Sequence, residues 1–163
     1  MKTGIKGASF LAASALALLL SGPVAAAAIT CDSVDDARYM ELTPSEGSAV
    51  CAGSGTGMSA NKTFHEHLGL AEIEKLEDAK GSLVGQWFTI NGLDATFGSI
   101  DFVSNLYDEY SDIHVAFKYG NKHIVPDWMS YSIEGVLNAD WDVTGNQALS
   151  NVAIWGQKKP AQV

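Results

Sequence analysis

His65-Glu66-His67 is the densest run of titratable side chains in the chain. Two imidazoles at i and i+2 share a side only on a strand, whereas on a helix they diverge by about 200°. The surrounding "SANKTFHEHLGL" reads as a short helix with Ser59 or Asn61 as N-cap and Phe64 and Leu68 turned inward. A solvated surface patch is therefore expected there rather than a metal site. His114 and His123 stand singly and are expected at the surface. Carboxylates gather at Asp32, Asp35 and Asp36, at Asp108, Glu109 and Asp112, and at Asp140 and Asp142. None matches the rhythm of a calcium loop, which leaves structural calcium from scattered loops as the one cation reading open. Nothing selects a glycosidase pair or a nucleophile elbow, so no catalytic residue, metal ligand or cofactor is assigned. "AGSGTGMSANKT" reads as a flexible glycine-rich loop without the ending of a phosphate-binding loop.

Aromatic chemistry offers more. Trp87, Trp128, Trp141 and Trp155 all fall in strand-like segments, where core packing is the default. A tryptophan flanked by carboxylates is also a way to stack on a sugar ring. Asp127-Trp128 and Asp140-Trp141-Asp142 are thus the candidate carbohydrate-binding residues. Asn61-Lys62-Thr63 matches the N-glycosylation acceptor pattern. Cys31 and Cys51, an even pair in an exported region, are expected as a disulfide.

Export is read from residues 1–28. Lys2 and Lys6 precede the apolar run "ASFLAASALALLL", then come a Ser-Gly-Pro break and small residues suited to cleavage after Ala28. The run is too short to span a membrane, and Thr30 before Cys31 argues against lipid attachment. The rest of the chain suffices for one domain, residues 29–157, with 158–163 as a short tail. The net charge is −9, and losing Lys2 and Lys6 with the leader takes it to −11. Such a surface disfavours nucleic acid and anionic membranes, and no membrane insertion is expected after cleavage.

The elements that must position these residues are short strands. "DIHVAFKY" alternates Ile113, Val115, Phe117 and Tyr119 against His114, Ala116 and Lys118. "SLVGQWFTI" is expected to close at a turn on Asn91-Gly92, and Pro126 to precede a strand from Trp128 to Ile133. "LAEIEKLEDAKG" fits either a helix or an exposed strand. "WDVTGNQALSNVAIWG" reads as a closing hairpin, with Leu149, Val152 and Ile154 inward and a bulge near Ser150-Asn151. Turn signals about every ten residues predict an all-β sandwich or jelly roll of antiparallel sheets, with one short helix after the disulfide loop.

Taken in order, "CAGSGTGMSANKTFHEHLGL", "DIHVAFKYGNKHIVPDWMSYSI" and "ADWDVTGNQALSNVAIWG" resemble the exported bacterial proteins that accompany exosortase, the PEP-CTERM class. The resemblance runs from about residue 50 to 156, through Cys51, Gly53, Gly55, Phe64, Leu68-Gly69, Phe117-Lys118, Gly120-Asn121, Trp128, Trp141, Ala148 to Ser150 and Trp155-Gly156. Asn151 stands where that class often has His, and no sorting tail comes after "QKKPAQV". The resemblance implies a secreted domain, soluble or held at the surface non-covalently, associated with extracellular polysaccharide and biofilm. It carries no catalytic residues. The expectation is a non-enzymatic extracellular or cell-surface protein that contacts exopolysaccharide or another surface protein. The alternatives are a carbohydrate-active hydrolase and a self-assembling structural protein.

Overall fold

The structure is a computed structural model that describes residues 27–32, 39–77, 80–120, 126–144 and 148–161. Most of the expected leader, together with Asp35, Asp36 and His123, lies outside the described residues. Among the described residues eleven strands and two helices follow in the order β1 (Ile29–Asp32), β2 (Tyr39–Pro44), β3 (Ser48–Gly55), α1 (Met58–His67), β4 (Ala71–Glu77), β5 (Gly81–Val84), β6 (Phe88–Leu93), β7 (Phe97–Phe102), α2 (Leu106–Glu109), β8 (Tyr110–Tyr119), β9 (Trp128–Glu134), β10 (Asn138–Val143) and β11 (Leu149–Lys158). They build two antiparallel sheets, β1-β2-β10-β7-β6-β5 and β3-β9-β8-β11-β4. The expected all-β sandwich is the fold.

Period-two alternation fills the space between the sheets. Leu42, Ile90, Ile100, Phe117, Tyr131, Trp141, Val152 and Ile154 are all buried there. Trp141 and Phe117 meet across the gap with ring centroids 6.2 Å apart. Both sides of the sandwich are fastened. Cys31 on β1 is bonded to Cys51 on β3, with Cα atoms 5.1 Å apart, so the disulfide ties one sheet to the other. Closing that loop contributes roughly 3 kcal/mol in the chain-entropy account. On the opposite side the Glu74 carboxylate of β4 accepts from the Gln86 and Trp87 N–H groups at 2.6 and 2.8 Å, gripping the β5–β6 turn.

Several expectations are corrected. The glycine-rich "AGSGTG" lies largely in β3, because Gly53 and Gly55 alternate onto one face where aromatic rings lie against the backbone. A Cβ on Gly53 would stand 2.9 Å from the Phe64 ring, and one on Gly55 2.6 Å from the Trp128 ring. The last two strands are not a hairpin: β10 sits between β2 and β7 in one sheet, and β11 between β8 and β4 in the other. The chain crosses between layers where sequence adjacency suggested pairing. Asn91-Gly92 continues β6 instead of ending it, with Asn91 paired to Ser99, and the turn comes after Leu93. The ambiguous "AEIEKLE" is strand β4. A second short helix, α2, precedes β8. The bulge near Ser150-Asn151 is present, as the β11–β8 register shifts between Leu149 and Asn151.

Candidate functional site

Each sheet has an outer face, and register places its side chains in rows. On the β3-β9-β8-β11-β4 sheet one row runs Gly53, Ser130, Ala116, Ala153, all small. The adjacent rows carry bulk: Trp128, Lys118 and Asn151 on one side, Ser132, His114 and Trp155 on the other. The small row is a trough, and α1 lies in it.

Helix α1 is anchored by polar bonds. Gly57, its N-cap, makes no side-chain cap bond, displacing the expected Ser59 or Asn61. Instead the Gly57 N–H donates to Asp127 Oδ1 at 2.9 Å, while Lys118 Nζ approaches Asp127 Oδ2 at 3.3 Å. Asp127 is therefore a buried structural carboxylate, not a free sugar ligand. Leu68 is exposed, whereas Phe64 turns inward as expected and packs on Gly53 and Trp128, and Asn61 and His65, one helical turn apart, are buried beside it.

The surface patch expected at "HEH" is overturned at His65, which is fully buried. His65 Nδ1 lies 2.8 Å from the Asn61 carbonyl oxygen and Nε2 lies 2.8 Å from Ser130 Oγ. A carbonyl only accepts, so Nδ1 carries the proton and the Ser130 hydroxyl donates to Nε2. The ring stacks on Trp155 at 4.7 Å, with its plane 7° off parallel, and meets His114 edge-on at 5.6 Å. Burial holds the His65 imidazole down at about 4, against the raising pull of the Asn61 carbonyl and with a smaller lowering from His114. His114 is half-buried beside the His65 ring, not the surface residue expected, and burial likewise lowers its pKa, with Asp112 opposing. A serine hydroxyl on a neutral imidazole has the form of an activated nucleophile. Here Ser130 and His65 are both 0 % exposed beneath α1, so the pair fastens a helix and faces no substrate.

Trp128 and Trp141 do not present rings to solvent. Trp128 is roofed by Phe64 at 5.4 Å and is 3 % exposed. Trp141 is 2 % exposed and lies inside the sandwich, its ring edge against Gly92 and Gly98. The alternation in "NADWDV" carries the reason: Asn138, Asp140 and Asp142 take the solvent side, which sends Trp141 inward with Ala139 and Val143. Asn61 of the glycosylation pattern is also buried, inside α1.

The outer face of the other sheet is open. Its rows read Glu41, Asp142, Phe97 and Thr43, Asp140, Ser99, Asn91. Together they line a shallow groove of about 670 Å³. Phe97 is 67 % exposed, an uncovered ring on a strand face. Asn91 Nδ2 donates to Ser99 Oγ at 3.1 Å. Glu41 and Asp142 are directly opposed across neighbouring strands, a like-charge pairing that works against the sheet. Of the residues expected to bind sugar, Asp140 and Asp142 thus stay in an accessible site, and the aromatic beside them is Phe97. The signal for Phe97 lies in "FGSIDF", whose alternation puts Phe97 with Ser99 and Asp101, opposite Ile100 and Phe102. Among the described residues no group of three or more His, Cys, Asp or Glu side chains gathers to hold a metal ion. No family model matches the chain, and no curated protein or solved structure matches it either.

Proposed function

We propose that this is an exported, non-enzymatic protein of the bacterial extracellular matrix or cell surface, whose open sheet face binds a neutral polysaccharide. The observation that carries this reading is the exposed Phe97 ring at one end of a groove walled by Glu41, Asp140, Asp142, Thr43, Ser99 and Asn91. Sugar rings present apolar C–H faces that stack on an aromatic ring, and hydroxyls that donate to carboxylates and exchange bonds with amides and hydroxyls. Strand rows space such groups along a line, which suits an extended chain. The acidic walls and the net charge of −9 select against uronate-bearing or sulfated polymers. The cysteine pair, the leader-like N-terminal sequence and the resemblance to exosortase-associated proteins support the extracellular setting.

The test is affinity electrophoresis of the protein through gels containing dextran, glucomannan or galactomannan, with an anionic alginate gel as control. Retardation by a neutral polymer that is lost in Phe97→Ala is the expected result. Unretarded migration in all of them would overturn the reading, and release of reducing ends would turn it toward a hydrolase.

A further inference from the structure

We infer that the domain carries a second sugar site, a pocket for one terminal residue, on the opposite side from the groove, making it bivalent. This rests on the polysaccharide reading above and extends it.

The pocket lies where the first turns of α1 overhang β11, β8 and β4, and holds about 230 Å³. Asn61, Asn151 and Trp155 are its buried lining residues, and Lys118, Lys75 and Glu72 also line it. Its chemistry narrows the occupant. Three lysines line it and each already faces a carboxylate: Lys118 Nζ is 3.3 Å from Asp127, Lys75 Nζ 2.5 Å from Glu77 and Lys62 Nζ 3.6 Å from Glu66. An anion gains little there, because each lysine charge is largely matched. An apolar ligand would strand the ammonium groups and amides without partners. A neutral polyol fits both conditions: its hydroxyls donate to Glu72 and to amide oxygens and accept from Lys and amide N–H groups. Trp155 has one face covered by His65, and the rest of its ring supplies an apolar wall.

Size and place define the role. The groove of about 670 Å³ crosses an open sheet and accommodates the interior of a chain, whereas 230 Å³ under a helix admits about one sugar ring and so reads an end or a side branch. The two sites sit on the outer faces of opposed sheets, with the core between them. One oligosaccharide cannot reach both at once, so double occupancy joins two polymer strands.

The experiment titrates methyl glycosides of glucose, galactose and mannose into the full protein, tracking the Trp155 indole N–H and Asn151 amide signals by NMR. In parallel, light scattering monitors mixtures with whichever neutral polymer retards the protein. One glycoside should shift both signals in the wild type and in Phe97→Ala. Asn151→Ala, read through the Trp155 signal alone, and independently the more exposed Lys75→Ala, read through both signals, should remove the shifts and lower polymer cross-linking at least tenfold while leaving gel retardation in place. Retardation with no pocket shift from any glycoside, or undiminished cross-linking by both variants, overturns the second site and leaves the groove reading intact. Absence of retardation in the wild type removes the reading on which both rest.

Discussion

The two outer faces of this sandwich come from similar strands and end in opposite states. One is roofed by α1 and the other is bare. The roofed face has a row of small residues, Gly53, Ser130, Ala116 and Ala153, flanked by Trp128 and Trp155, a trough of helical width. The bare face offers carboxylates, hydroxyls and one protruding ring, with Glu41 opposed to Asp142. A helix laid on that face would bury carboxylates without counter-charges, a cost that rises steeply with desolvation. Small side chains thus mark the face that is covered, and acids without an ion pair among the described residues the face left bare. His65 shows how completely the covering works: a residue from the titratable His65-Glu66-His67 run becomes fully buried.

The contrast can be broken at four places, taken in descending order of effect. Trp141→Ala empties a position between the sheets and should cost about 3–5 kcal/mol of unfolding free energy. Urea denaturation measures it, and a loss below about 1 kcal/mol would contradict the core placement of that ring.

Acid should attack the roofed face. The folded-state value of His65 is about 4, below its ordinary 6.5, so the unfolded chain binds the proton more readily. The contribution of the neutral imidazole is therefore complete above about pH 6.5, falls as pH drops, and is exhausted near pH 4. Its size is on the order of 3 kcal/mol by linkage. His114, lowered as well, acts in the same direction. Denaturation at about pH 7 and pH 4 for wild type and His65→Gln isolates the effect from the carboxylates that titrate in the same range. The wild type should lose more stability than the variant, and equal losses would rule out a buried neutral His65.

Gly55→Ala tests the ring notch. The added methyl would meet Trp128 at 2.6 Å, so the ring must shift, at about 1–3 kcal/mol. Thermal unfolding together with helical ellipticity reads it out, and a neutral outcome would mean that the strand and ring are not in contact. Phe97→Ala should fall within about 0.5 kcal/mol of the wild type in stability while abolishing polysaccharide retardation. Strong destabilisation by this change would mean that the ring is structural and the bare face no binding face.

Much of this was legible beforehand, and particular residues show why. Ile113, Val115, Phe117 and Tyr119 alternate with polar or small partners, so their burial comes from the two-residue repeat of a strand. The bulge by Ser150-Asn151 was visible as a slip in the same repeat. The inward turn of Trp141 was written in "NADWDV" too, and the attraction of a tryptophan between two aspartates as a sugar platform obscured it. His65, Asp127 and Trp128 were not legible. Their environment is built from α1, β9 and β11, which lie far apart in the chain, and no local pattern states that a helix will settle on a given outer face.

By itself, then, the sequence determined the strands, the inward side of most of them, and the Cys31–Cys51 pairing. Those depend on short-range alternation and on an even pair of cysteines. The tertiary structure decided which strands are neighbours, separating β10 from β11, and which outer face is covered. Both depend on contacts between segments distant in sequence, where the size of facing residues and the cost of burying unpaired charge select one arrangement.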